Sequence, residues 1–166
     1  MPFLTPNIVV LGVGNTIHSD DGAGIHALRQ LEDDPRVPDD VVFVDGGTRG
    51  LELLADVYDC SRLLLLDAVD VGEEPGTLLQ MSGDDLLGLA TGCTVHQLAV
   101  ADLLVTLPLV SDIDREIVLL GIQPASTDWG TELTPNVEAG VAPLVERAVN
   151  QLRLWTEPIE VRSHAV

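Results

Sequence analysis

The chain contains no lysine, and it sets eight arginines against 27 acids for a formal net charge of −19. Nucleic acids and anionic membranes are held by clustered Lys and Arg, so this balance excludes both as partners. It suits a basic partner or a metal cation, although a well-solvated acidic surface accounts for most of the charge. Only two cysteines are present, Cys60 and Cys93. They make neither a disulfide framework nor a CxxC motif, and they read as small buried residues in a reducing cytoplasm. No apolar run reaches the roughly 18 to 20 residues that span a bilayer. The first residues lack the basic, apolar, small-residue order of a signal peptide. The expectation is a soluble, cytoplasmic protein. Also missing are G-x-S-x-G, HExxH and a phosphate-loop G-K-[ST], so the serine-hydrolase, helix-borne zinc-peptidase and P-loop routes have no support.

What is present is apolar: 46% of 166 residues are hydrophobic and 21% charged. That is enough for one domain, 1–166, with a real core over about 7–155 and a loosely held tail, 156–166. Short apolar runs ending in polar or glycine residues predict strands at Asn7–Val13, Val41–Asp45, Arg62–Val69, Gly76–Met81 and Arg115–Ile122. Helical spacing predicts helices at Ala23–Glu32, Leu51–Tyr58, His96–Leu107 and Pro135–Leu154. In the last, Val137, Val141, Leu144, Val145, Ala148 and Leu152 define one apolar face. Helix and strand alternate, and "IVVLGV" and "LLLLDAV" are apolar on both faces. The fold class is therefore α/β: a three-layer α/β/α sandwich around a twisted, mostly parallel, five-stranded sheet. The "PGT" before Leu78 predicts one antiparallel or edge strand.

In such a sheet, ligands bind beyond the carboxyl ends of the strands. The sequence places Gly12, Gly14, Asn15, Asp20 and Asp21 there after the first strand, and Asp45, Gly46, Gly47 and Thr48 after the second. Asp67 and Asp70 follow the third, His96 lies in "TVHQ", and the Thr131–Pro135 loop precedes the last helix. Arg49 is the one cation expected near them. A dinucleotide fingerprint fails at Ile17, where glycine or alanine is needed, and Asp20 and Asp21 would repel a pyrophosphate. Asp21, Asp67 and His96 instead offer two hard oxygens and one imidazole, a set suited to a divalent first-row ion with coordination positions left open. Each has a plainer reading. Asp21 is placed to stabilise a helix N-terminus, and His96 to cap a helix or hydrogen-bond. Asp67 is harder to dismiss, because an acid ending "LLLLD" carries charge on a core strand. His18 is a loop residue near the site, His26 is expected to face outward, His164 lies in the tail, and Cys93 with His96 forms only a lone C-x-x-H pair.

The segments "LGVGNTIHSDDGAG", "VDGGTRGLELL", "LLLLDAVDVGEEPGT", "HQLAVADLL", "LLGIQP" and "LTPNVEAGV" occur in that order. Together, over residues 7 to 155, they closely resemble the hydrogenase maturation endopeptidases. The resemblance implies an enzyme that removes a short C-terminal extension from the large-subunit precursor of a nickel–iron hydrogenase once nickel is inserted. It places the family's metal-contacting positions on Asp21, Asp67 and His96; the first is Glu in some members and Asp in others. It matches the family's glycine-rich segment to "DGGT", where Gly46, Gly47 and Thr48 would bind the substrate chain or an oxyanion through backbone amides. Nickel would arrive on the substrate, and the free protein, a monomer by default, would hold it weakly. The attacking water would be supplied at an open coordination position or by a carboxylate acting as general base. The rivals are a related hydrolase with a resident metal and a metal-sensing checkpoint protein that does not cut.

Overall fold

The computed structural model describes residues 7–92 and 100–157. Five strands form one sheet in the order β2-β1-β3-β5-β4. They are β1 Ile8–Val13, β2 Val42–Gly47, β3 Arg62–Ala68, β4 Leu78–Ser82 and β5 Glu116–Ile122. β1 runs parallel to β2 and β3, and β3 parallel to β5, while β4 lies antiparallel to β5 at one edge. The antiparallel edge strand foretold by "PGT" is therefore present. Among the described residues the α-helices are α1 Ala23–Glu32, α2 Leu54–Val57, α3 Gly83–Gly92, α4 Ala101–Val110 and α5 Pro135–Thr156.

The two helix layers follow from strand alternation. Ile8, Val10, Leu64, Leu66, Val118 and Leu120 pack with α1 and α5 on one face. Val9, Leu11, Leu63, Leu65 and Leu119 pack with Leu53, Val57, Leu86 and the α4 leucines on the other. Every residue of β1 is buried, as a strand covered on both sides requires. All six apolar positions named for α5 are buried. Where α1 begins, its backbone nearly touches the sheet: a Cβ on Gly24 would lie 2.3 Å from the Leu66 carbonyl oxygen and 2.6 Å from that of Val13. Only glycine lets the helix start there, directly above the residue that precedes Asp67.

Several expectations need correction. The segment predicted as a helix over Leu51–Tyr58 opens as a 3-10 helix, Leu51–Leu53, and is α-helical only over Leu54–Val57. α3 was not foreseen; "GDDLLGLATG" contains three glycines and buries Leu86 alone among its strongly apolar residues, too weak a periodic signal to see. β2 continues past Asp45 to Gly47, so the glycine pair lies on the strand itself. Of the helix predicted over His96–Leu107, residues 96–99 lie outside the described residues, and the remainder extends to Val110. Cys60 is buried as expected, and Cys93 lies outside the described residues.

Candidate functional site

β1 ends at Val13, and Gly14 turns the chain with φ of +128°. A Cβ there would lie 1.8 Å from the Asp21 carbonyl oxygen, so the turn requires glycine. The Gly14 N–H donates to the Gly47 carbonyl at 2.8 Å, binding this turn to the end of β2. The chain then folds back, and the Asn15 N–H donates to Asp21 Oδ2 at 2.8 Å. Asp21 is half-buried, and its Oδ1 has no hydrogen-bond donor among the described residues. One oxygen orients the carboxylate and the other is available.

Asp20 is used differently. It is fully buried. Its Oδ2 accepts from the Ala125 and Ser126 N–H groups at 2.9 and 3.0 Å and from the Thr134 hydroxyl at 2.7 Å. Its Oδ1 accepts from the Thr134 N–H at 2.7 Å. Burial pushes its pKa up, but these donors together hold it below the usual carboxylate value. Asp20 thereby clamps the Ser19–Gly22 turn to the loop that leads into α5, and presents its neighbour Asp21 to the rim.

Asp67 is only 2% exposed. It lies on β3 opposite Gly121 of β5, at the same end of the sheet as Asp21. β1 and β3 run parallel, so the turn after β1 that carries Asp21 and the end of β3 that carries Asp67 share one edge of the sheet. His96 lies outside the described residues. Among the described residues alone, no group of three or more His, Cys, Asp or Glu side chains is arranged to hold a metal.

On the other side of β1, Gly14, Asn15, Thr16, Gly47 and Thr48 line a groove of about 190 Å³ with Ile25, Arg29 and Asp45. Gly47 has φ of +50°, and its N–H donates to Asp45 Oδ1 at 3.1 Å. Gly46 is buried beneath, against Leu11 and Leu53. Thr48 is exposed at the groove. Arg49 donates to the Asp45 carbonyl at 2.9 Å, while Arg29 Nη2 lies 3.9 Å from Asp45 Oδ2. Arg29 was missed by the sequence reading. The signal was present in its spacing of four from buried Ile25, which aligns both on one side of α1.

The comparisons with known proteins decide what this rim belongs to. The sequence profile of one family, described as hydrogenase maturation protease, matches residues 25–151. The hydrogenase expression/formation protein HupD of Bradyrhizobium diazoefficiens is 36% identical over 94% of this chain and 83% of its own length. The hydrogenase 2 maturation protease of Escherichia coli is 36% identical over 88% of this chain and 90% of its own. The chain belongs to the hydrogenase maturation protease family. Its fold is that of the family's solved members. The maturating endopeptidase HybD from E. coli superposes with a TM-score of 0.82 at 35% identity, covering 89% of this chain and 93% of that one. HybD from Thermococcus kodakarensis superposes with a TM-score of 0.74 at 28% identity, covering 88% and 99%. The chain is thus a peptidase, and no helix among its described residues is long and apolar enough to cross a membrane.

One motif of the maturation protease, "LLGIQP", pins a neighbouring loop. Its Gln123 is buried. Its Oε1 accepts from the Val71 and Glu73 N–H groups at 2.9 and 3.2 Å, and its Nε2 donates to Asp70 Oδ1 at 2.9 Å. The Gln123 bond and the Gly72 N–H hold Asp70 below the usual carboxylate value. The loop after β3 is pinned in this way directly behind Asp67. His26, expected to face outward, is half-buried and lines a 320 Å³ pocket with Thr131, Glu132, Leu133 and the α5 residues Glu138 and Val141. Burial and then Arg29 lower its pKa, against the opposing pull of Glu138. His18 sits in the first loop with its Nδ1 3.1 Å from the Thr127 carbonyl oxygen.

Proposed function

We propose that this peptidase removes the C-terminal extension of the large-subunit precursor of a nickel–iron hydrogenase after nickel insertion, and that Asp21, Asp67 and His96 contact the nickel carried by that precursor. The observation that carries the reading is that Asp21, in the turn after β1, and buried Asp67, near the end of β3, lie at the same edge of the sheet, since β1 and β3 run parallel. In related sheets this position holds a phosphate at a helix N-terminus. Here the turn delivers carboxylates instead, which are suited to a cation. Asp67 is a buried carboxylate near the carboxyl end of β3, and with Asp21 it offers the hard oxygen ligands that suit a divalent cation arriving with the substrate. Two carboxylates and an imidazole, with no thiolate, form a modest ligand set. Nickel is therefore substrate, not a resident cofactor.

In this reading the nickel locates the scissile bond, and occupancy of the ligand set reports that loading is complete. Of the Gly46, Gly47 and Thr48 segment, the backbone at exposed Thr48 is the part that would meet the substrate chain or the developing oxyanion, since Gly46 is buried and the Gly47 N–H donates to Asp45 Oδ1. The Asp21 Oδ1, free of donors among the described residues, can accept a proton from water or bind the metal.

The test is the intact mass of the cognate precursor, nickel-loaded and nickel-free, after incubation with the full chain. Loss of a C-terminal peptide from the loaded form alone supports both the peptidase and its nickel gate. Cleavage of both forms removes the sensing role from Asp21, Asp67 and His96. Binding of a verified loaded precursor without any cleavage replaces the proposal with a checkpoint function. Asp67→Asn keeps the shape but removes the charge, and it is expected to lower processing at least ~100-fold, the scale of losing one key electrostatic group. Full activity in that variant overturns the assignment.

A further inference from the structure

Beside the Asp21 turn stands a large aromatic side chain with no role in the core: Trp129 is 77% exposed. It is nevertheless held firmly. Its ring lies 4.4 Å from the His18 ring at an interplanar angle of 36°, and His18 pairs with Gly130 in a parallel β-bridge. The Ser19 N–H donates to the Gly130 carbonyl at 2.8 Å, and the Gly130 N–H to the Ile17 carbonyl at 2.9 Å. The Ser19 hydroxyl donates to the Asp128 carbonyl at 2.9 Å. Ser19 has φ of +49°, rare for a non-glycine residue, and this mesh maintains it. Ile17, 46% exposed, adds an aliphatic side chain to the same surface.

An exposed tryptophan on a loose loop is ordinary, but a rigid one needs no ordering when a partner arrives, and such residues dominate binding energy at interfaces. Charge then selects the partner. Asp128 and Glu132 flank Trp129 in the loop and are exposed. No arginine forms an ion pair or hydrogen bond with residues 124–134 among the described residues, and the chain has no lysine. An indole face bordered by carboxylates favours an arginine or lysine laid across the ring. The pad is continuous with the turn bearing Asp21, two residues beyond Ser19, so a chain docked on it passes next to the candidate site.

We propose that Trp129, supported by His18 and Ile17, is a specificity-determining contact that receives a basic side chain of the protein substrate. This rests on the function proposed above, and its test separates the two.

The full chain labelled with 5-fluorotryptophan gives two fluorine resonances, one from Trp129 and one from buried Trp155. Titration with unlabelled nickel-loaded precursor is expected to shift the Trp129 resonance and leave that of Trp155 in place. In cleavage assays, Trp129→Ala is expected to raise KM at least ~10-fold, with the loss falling on KM rather than kcat, and Trp129→Phe to recover most of it. Asp128→Asn combined with Glu132→Gln is expected to flatten the salt dependence of KM. An unmoved Trp129 resonance at saturating precursor, or an unchanged KM in Trp129→Ala while the wild type cuts, overturns the inference. A shift of Trp129 that depends on protein concentration without precursor also overturns it, because the occupant is then a second copy. If the wild type binds precursor without cutting it, the proposed peptidase reaction fails, whereas a Trp129 shift in that titration still supports the pad.

Discussion

Asp20 and Asp21 are chemically identical neighbours that the fold uses in opposite ways. Four donors surround Asp20, so it is ionised in the folded state at a pH where an unfolded aspartate has begun to protonate. Its folded pKa is lowered, so its stabilising contribution is complete above the unfolded value of about 4 and is lost as pH falls through the folded value. Urea unfolding of wild type and Asp20→Asn should therefore show a stability gap at neutral pH that narrows below pH ~4. Asp20→Ala leaves four donors unsatisfied in a buried place and is expected to cost about 3 kcal/mol at pH 7. An equal gap at pH 7 and at pH ~3 would contradict the clamp. From the sequence, the pair is simply "DD". Which of the two faces the rim depends on donors more than a hundred residues away, and nothing local encodes that. Asp67 was legible for the opposite reason: a charge closing a run of four leucines is a local anomaly.

At the scale of elements, the start of α1 illustrates how tightly the site is set. A methyl at Gly24 would collide with two carbonyl oxygens of the sheet and could be housed only by moving the helix and the Asp21 turn that leads into it. Gly24→Ala is expected to cost about 1–3 kcal/mol by overpacking and to reduce processing beyond what the stability loss explains. Gly88, inside α3, is the control, since a Cβ there meets nothing within 4 Å. Gly88→Ala should stabilise by about 0.5–1 kcal/mol through helix propensity and the unfolded chain. Thermal unfolding of both variants checks the contrast; a stable, active Gly24→Ala would refute the close-packing argument. The same elements divide by legibility. β1, β3, α1 and α5 were readable because each is uniformly or periodically apolar and buried accordingly. α3 carries its glycines where a helix should carry strong formers, and tertiary contact through Leu86 makes up for weak local preference.

The molecule as a whole is strongly anionic, and most of its acids are exposed with few cations to answer them. Self-repulsion of that kind is a tax on compactness that dissolved salt relieves. Raising NaCl from about 20 to about 500 mM is expected to add on the order of 1 kcal/mol, or roughly 2–4 °C in Tm. A Tm that falls or stays level in calorimetry would mean that specific pairs, such as Arg36 with Asp34 and Glu146 at 2.7 and 2.6 Å, outweigh the general field. Arg36 holds half-buried Asp34 down to a pKa of about 2. The global charge was plain in the sequence, but its local consequence at Trp129 was not, because the bridge between His18 and Gly130 joins segments far apart in the chain.

That bridge has a further consequence. The bonds tethering the loop before α5 to Ile17, His18 and Ser19 use the main-chain atoms of Thr127, Asp128 and Gly130. Main-chain tethers are indifferent to side-chain identity. The posts at Ala125, Ser126 and Thr134 are likewise grasped by buried Asp20 mostly through their amides. The span between the posts is therefore open to heritable change: its shape is inherited through the backbone, while the surface it offers can be rewritten one codon at a time. A lineage could exchange one client protein for another there without disturbing Asp21 or Asp67.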